Sequence, residues 1–219
     1  MKELKISSAE IRGLEPMPEP TRRGNRQTRV PEILEVAIRV FAAEGGSGFT
    51  QRRVASEAGI RLSTLQHYFG TREELLKSTI EEVAKRYVTE YREIARDKTR
   101  PPEARLDRIV DNVFSNLAST DSPVGAFALH VWSLAEHERF AHEMLEEVQR
   151  EFIELFAGLV AKLNPSLPSS ECTLRGGMID AHMLGLIVFV RHGGDIGPDR
   201  ESLRVATKAV WKALSLATQ

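Results

Sequence analysis

The sequence predicts an all-α fold, and three observations predict it. Apolar residues recur at three- and four-residue spacing in successive blocks from Val30 to the C-terminus, the period of an amphipathic helix. Gly and Pro gather between these blocks, at Gly45-Gly46, Gly59, Pro101-Pro102 and 193–198, where helices end. No segment carries a clear alternation of period two. About nine helices follow from the count of blocks.

Composition sets the class. The chain has 219 residues, 42% hydrophobic and 28% charged, ordinary for one or two globular domains. No unbroken apolar run reaches about 18 residues, so no membrane segment is expected. The N-terminus lacks the apolar core of a secretory signal. A lone cysteine, Cys172, rules out an internal disulfide and fits a reducing cytoplasm. Net charge is −1 but unevenly spread: residues 22–72 hold nine Arg against four Glu, whereas residues 93–219 hold 14 basic and 18 acidic residues. A basic N-terminal part on an acidic remainder is the footprint of a nucleic-acid-binding unit attached to something else.

Residues 1–28 carry Pro16, Pro18 and Pro20 and then Arg22, Arg23 and Arg26. They read as a disordered arm, suited to solvent or to following phosphates beside a major-groove reader. The first helix begins near Val30, with Pro31 in its first turn. Ile33, Leu34, Ala37, Val40 and Phe41 form its apolar face, and Gly45-Gly46 end it. Thr50 is an N-cap for a short helix over 51–58. Gly59 sits where a helix closes in the left-handed conformation, and Ile60 plugs the turn. A second short helix spans 62–68, anchored by Leu65 and Phe69. Two short helices about a Gly-containing turn are the helix-turn-helix signature. Thr71-Arg72-Glu73-Glu74 is a capping box opening a long helix over 72–96. Beyond Pro101-Pro102 come helices over 103–118, 126–135, 139–163, 170–191 and 200–217.

The stretch FTQRRVASEAGIRLSTLQHYFGTREELL, residues 49–76, resembles the DNA-binding domain of the TetR family of bacterial regulators. Thr50, Val54, Ala55, Ala58, Gly59, Leu65, His67, Tyr68, Phe69, Thr71, Glu73, Glu74 and Leu75 carry the likeness, together with the helix that ends AIRVFAAEGG. Two positions depart from the family pattern. Arg61 stands where a Ser usually caps the recognition helix, and Gln66 replaces a common Tyr. The resemblance covers 30–80. It implies a DNA-binding domain over 29–76 and a helical effector-binding and dimerisation domain over 77–219. It also implies a regulator, expected to be a repressor, that binds a palindromic operator as a dimer and is released by a small-molecule inducer.

In such a unit the N-terminal residues of the second helix meet base edges. Here those are Arg61, Leu62, Ser63 and Thr64, with Gln66 a turn on. Arg61 suits guanine or a phosphate, and Gln66 suits adenine. Arg26, Arg29, Gln51, Arg52, His67, Tyr68, Thr71, Arg72 and Lys77 are candidates for positioning on phosphate, Tyr68 serving equally as core. Phe114, Phe127, His130, Trp132, Met144, Phe152, Met178 and His182 are candidates for the effector pocket, each of them also explicable as core; no motif assigns a ligand class. Gly176, Gly177, Ala181 and Gly185 make a small-residue stripe. With Leu184, Val188 and Trp211 it makes the last two helices the candidate dimer interface, the alternative being a central core helix. No nucleophile–base motif, metal-ligand spacing or nucleotide loop occurs, so no cofactor, metal or enzymatic activity is expected. The expected partners are an operator in double-stranded DNA, a second copy of the chain and a small-molecule effector. Two rivals remain: a DNA-binding activator or nucleoid-associated protein without an inducer, and an all-α enzyme.

Overall fold

The computed structural model describes residues 26–118, 124–192 and 198–218. The basic arm before Arg26, the cap at Asp121 or Ser122, and most of the turn after His192 lie outside the described residues. Nine helices and no strand occur among those described: α1 (Arg26–Gly48), α2 (Gln51–Glu57), α3 (Leu62–Tyr68), α4 (Arg72–Arg96), α5 (Pro102–Ala118), α6 (Val124–Ala135), α7 (Arg139–Leu163), α8 (Ser169–His192) and α9 (Arg200–Leu216).

The first helix is longer than its apolar pattern. It starts at Arg26, so Arg26 and Arg29 ride on a helix and not on an arm, and Pro31 lies inside it. An i,i+3 pair between Arg29 and Glu32 supports this added turn. Gly45 breaks the regular path with φ +66°, as a terminating glycine does, and a last turn runs on to Gly48.

Two apolar clusters organise the molecule. The head cluster joins Phe41, Phe49, Val54, Leu65, Phe69 and Leu75 from α1–α4, and it also takes in Phe127 and Val131 of α6. The body cluster gathers Tyr91, Ile109, Phe156, Ile179 and Trp211 from α4, α5, α7, α8 and α9. α4 serves both, burying Leu75, Leu76 and Ile80 in the head and Val88, Tyr91 and Ile94 in the body. A division at residue 76 therefore cuts through shared packing. In the body, α7 and α8 approach so closely that a Cβ on Gly176 would lie 2.7 Å from the Ala157 nitrogen and the Ile153 oxygen. Gly176 thus serves the core, and the rest of its stripe faces outward.

Candidate nucleic-acid interface and ligand cavity

The head is built by capping. Thr50 Oγ1 accepts from the Arg53 amide at 3.1 Å, which starts α2. Gly59, at φ +62°, ends it: the Gly59 amide donates to Ser56 and the Ile60 amide to Ala55, a Schellman closure. The chain enters α3 through Arg61, which is extended and makes no side-chain cap. Its side chain is exposed, as are those of Ser63, Gln66 and His67; Leu62, Thr64 and Tyr68 are half-buried. Leu65 and Phe69 are buried in the head, so α3 turns Arg61, Ser63, Gln66 and His67 away from the core.

The candidate positioning residues divide. Arg52 is exposed and unpaired among the described residues. His67 stays exposed, its ring edge-on to Tyr68 at 5.3 Å. Gln51 is a fastener: its Nε2 donates to the Phe69 carbonyl at 2.7 Å and its Oε1 accepts from Gln66 at 3.4 Å, tying the start of α2 to α3. Arg72 is also turned inward. Its Nε donates to the Phe49 carbonyl at 2.8 Å and its guanidinium also reaches Gly46. It thereby satisfies carbonyls at the end of α1, where a helix presents partial negative charge. Lys77 pairs with Glu73 at 2.6 Å, and its ammonium lies 5.1 Å from the ring centre of Phe140 on α7. The pair with Glu73 raises its pKa. Thr71 completes the capping box, its hydroxyl accepting from the Glu74 amide and its amide donating to Glu74. Arg72 is thus a correction to the phosphate set, because backbone carbonyls of the chain already hold it, whereas Lys77, in a surface ion pair within one helix like that of Arg29, stays a candidate.

The candidate ligand cavity lies between the helices of the body and the head junction, with a volume of about 150 Å³. α4 contributes Tyr87 and Tyr91, α5 Asn116, α6 Phe127, Val131 and Trp132, α7 Met144, Gln149 and Phe152, and α8 Asp180, Met183 and Leu184. Of the expected pocket residues, Phe127, Trp132, Met144 and Phe152 line it. Four do not. Phe114 is buried in the body core away from the cavity wall. His130 sits at the head junction, its ring 5.9 Å from that of Phe41. His182 accepts the Trp211 indole N–H on Nδ1 at 2.9 Å, and burial lowers its pKa. Met178 is 47% exposed on the outer face of α8.

Sequence reasoning missed Asp180, Tyr87, Tyr91, Asn116 and Gln149. Asp180 is the sharpest. It is only 4% exposed, and its Oδ1 is buried with no hydrogen-bond partner among the described residues. Burial pushes its carboxyl up to about 7. One signal was present: Asp180 is the sole charged residue between Arg175 and Arg191.

The candidate dimer face is also redistributed. Ala181, Gly185 and Val188 are exposed, and Gly177 leaves open space around its Cβ position. Leu184 points to the cavity instead. Trp211 is fully buried, edge-on to Phe156 at 5.3 Å, because the opposite side of α9, with Val205 and Val210, is the one that stays uncovered. A window of 18 residues in α8 has a mean hydropathy of 1.3, enough by length and composition to cross a membrane, with a third of it buried. Arg175 and Asp180 are buried within the bundle on this same helix.

Residues 33–79 match the family described as bacterial regulatory proteins, tetR family. The chain is 30% identical over 185 residues to the HTH-type transcriptional regulator BetI of Paraburkholderia phymatum, covering 84% of this chain and 91% of that protein. The chain belongs to the TetR family. As a TetR-family chain it is a helix-turn-helix transcriptional regulator. It is also 29% identical over 132 residues to the HTH-type transcriptional repressor KstR2 of Rhodococcus jostii, covering 60% of this chain and 63% of that one. The fold is shared with the regulator FadR of Bacillus subtilis, solved in complex with stearoyl-CoA, at a TM-score of 0.67 and 18% identity over 84% of this chain and 97% of that one.

Proposed function

We propose that this TetR-family regulator is a cytoplasmic dimeric repressor that binds a palindromic operator and is released when a small molecule occupies the cavity of the body. The observation that carries this is the double duty of α6. Phe127 and Val131 of that helix line the cavity and are also buried in the apolar cluster of the head, so a ligand that moves α6 moves the head. A ligand favouring one arrangement of the heads shifts the population toward it.

On the operator, α3 enters the major groove. Arg61, Leu62, Ser63, Thr64 and Gln66 read bases, while Arg26, Arg29, Arg52, His67, Tyr68 and Lys77 position the head on phosphate. Gln51 and Thr71 support this by holding α3 and the start of α4. One head reads only a few base pairs, and a two-fold dimer supplies the second. The uncovered apolar faces of α8 and α9 suit that dimer. Among solved relatives, FadR of Bacillus subtilis holds a small molecule, stearoyl-CoA, in this fold.

The test is selection of bound sites from random DNA, followed by gel shifts. The expected result is a palindromic site bound by a dimer with strong salt dependence. Arg61→Ala then relaxes preference at one position, and Arg52→Ala weakens all sites alike. A non-palindromic, sequence-indifferent footprint would favour the nucleoid-associated reading.

A further inference from the structure

We infer that the ligand of the cavity is a small apolar amine, which enters protonated and donates an N–H to the unpartnered carboxylate of Asp180. This rests on the reading of the cavity as the effector site and names the chemistry that site takes.

The reasoning begins with what the cavity lacks. Its described walls are apolar and aromatic apart from Asp180, Asn116, Gln149 and the two tyrosine hydroxyls, and no Lys, Arg or His among the described residues lines it. Asp180 Oδ1 is a buried acceptor with no donor from the described residues. Buried carboxylates are otherwise paired or hydrogen-bonded. An orphaned acceptor in a ligand cavity calls for a donor on the ligand, and for a charged acceptor a cationic donor is the strongest. A carboxylate or phosphate ligand would have to hold Asp180 protonated and would find no cation among the described lining residues. A hydrocarbon would leave Oδ1 orphaned. A metal ion is disfavoured too, because no group of three His, Cys, Asp or Glu gathers among the described residues.

The rest of the wall suits the remainder of an amine. Tyr87, Tyr91, Phe127, Trp132 and Phe152 supply the aromatic faces to which an ammonium is attracted. The volume of about 150 Å³ is one in which an apolar cavity holds a benzene ring. Besides Asp180, the titratable side chains among the described lining residues are Tyr87 and Tyr91 of α4. The lining from α5, α6 and α7 carries no charge, and α9 turns Trp211 toward His182. With its carboxyl held up near 7 by burial, Asp180 is partly protonated at neutral pH and loses that proton when an ammonium settles against it. Amine binding therefore releases a fraction of a proton.

The experiment is calorimetric titration of the full-length protein with four probes of one shape: benzylamine, benzyltrimethylammonium, benzyl alcohol and benzoate. It is repeated in buffers of different ionisation enthalpy, and on Asp180→Asn and Asp180→Leu. The expected result is that benzylamine binds best, releases protons near pH 7, and loses about tenfold or more in affinity in both variants, with the proton release abolished. Benzyltrimethylammonium, which has no N–H, binds more weakly. Equal binding of benzyl alcohol or benzoate, affinity indifferent to both variants, or benzyltrimethylammonium matching benzylamine would each overturn the inference. So would the absence of binding by any probe to protein that still binds its selected operator. Asp180-dependent amine binding that leaves operator affinity unchanged would support the amine site and overturn the reading of the cavity as an effector site.

Discussion

His130 and Gly45 touch across the junction of head and body: a Cβ on Gly45 would lie 2.8 Å from His130 Nδ1. Beside them, Phe127 packs edge-on against Phe41 with ring centres 4.9 Å apart. Gly45 also holds φ +66° with ψ −167°, a region essentially reserved for glycine that costs an L side chain roughly 1–3 kcal/mol. The contact is close because glycine is there, and it lets α6 lie against α1 while its other side walls the cavity. α4 is therefore not the only lever between ligand and DNA.

Gly45→Ala is expected to lower stability by about 2 kcal/mol or more, from the backbone term and the overlap together. Urea unfolding of Gly45→Ala, His130→Ala and the double variant separates the two terms. In the His130→Ala background the penalty falls to about the backbone cost alone. An unchanged penalty would mean that His130 does not bear on Gly45.

Arg72 and Arg52 are both basic residues of the head, and they should behave oppositely. Arg72→Ala removes bonds to the Phe49 and Gly46 carbonyls and should cost about 1–3 kcal/mol of stability. It should leave the salt slope of DNA binding as it was. Arg52→Ala, at an exposed side chain, should leave stability alone and reduce the slope of log affinity against log salt by about 1. A salt titration of operator binding alongside thermal melts checks both. A lowered slope for Arg72→Ala would return that residue to the phosphate set.

The head was legible in the sequence because its devices are local. Thr50 caps α2, Gly59 closes it, and Thr71 with Glu74 caps α4; each acts within a few residues, so spacing reveals it. What was illegible depends on rotation about a helix axis. α8 is apolar on so many sides that periodicity does not tell its inner face from its outer one: Met178, a pocket candidate, turns outward, and Leu184, an interface candidate, turns to the cavity. Trp211, an interface candidate by its place on α9, is buried in the body core instead. Arg72 looked free because its partners, the Gly46 and Phe49 carbonyls, lie far off in the chain.

The outward face of α8 carries the next expectation. Ala181→Arg adds a charge to an exposed stripe between Gly177 and Gly185 and should convert a dimer to a monomer in sedimentation, with operator affinity lost in step. Trp211→Phe should leave the dimer intact. It would lose the indole bond to His182 at a cost of about 1 kcal/mol. A dimeric Ala181→Arg would exclude α8 as the interface.

Asp180 gives the stability curve a definite sign. Its folded-state carboxyl lies near 7, against an ordinary 3.8, so between those values the folded chain holds a proton that the unfolded chain releases. Stability attributable to this group is therefore complete at low pH and declines as pH rises from about 4 through 7. The full span corresponds to about 4 kcal/mol. Asp180→Asn has no such proton to lose. Denaturant unfolding of both proteins at intervals from pH 5 to pH 8 isolates the effect as a difference, since every other titrating group is common to the two. The variant should match the native chain most closely at pH 5 and exceed it by the largest margin at pH 8. A difference that stayed flat across the range would mean that Asp180 is solvated, and its carboxylate would then need no partner from a ligand.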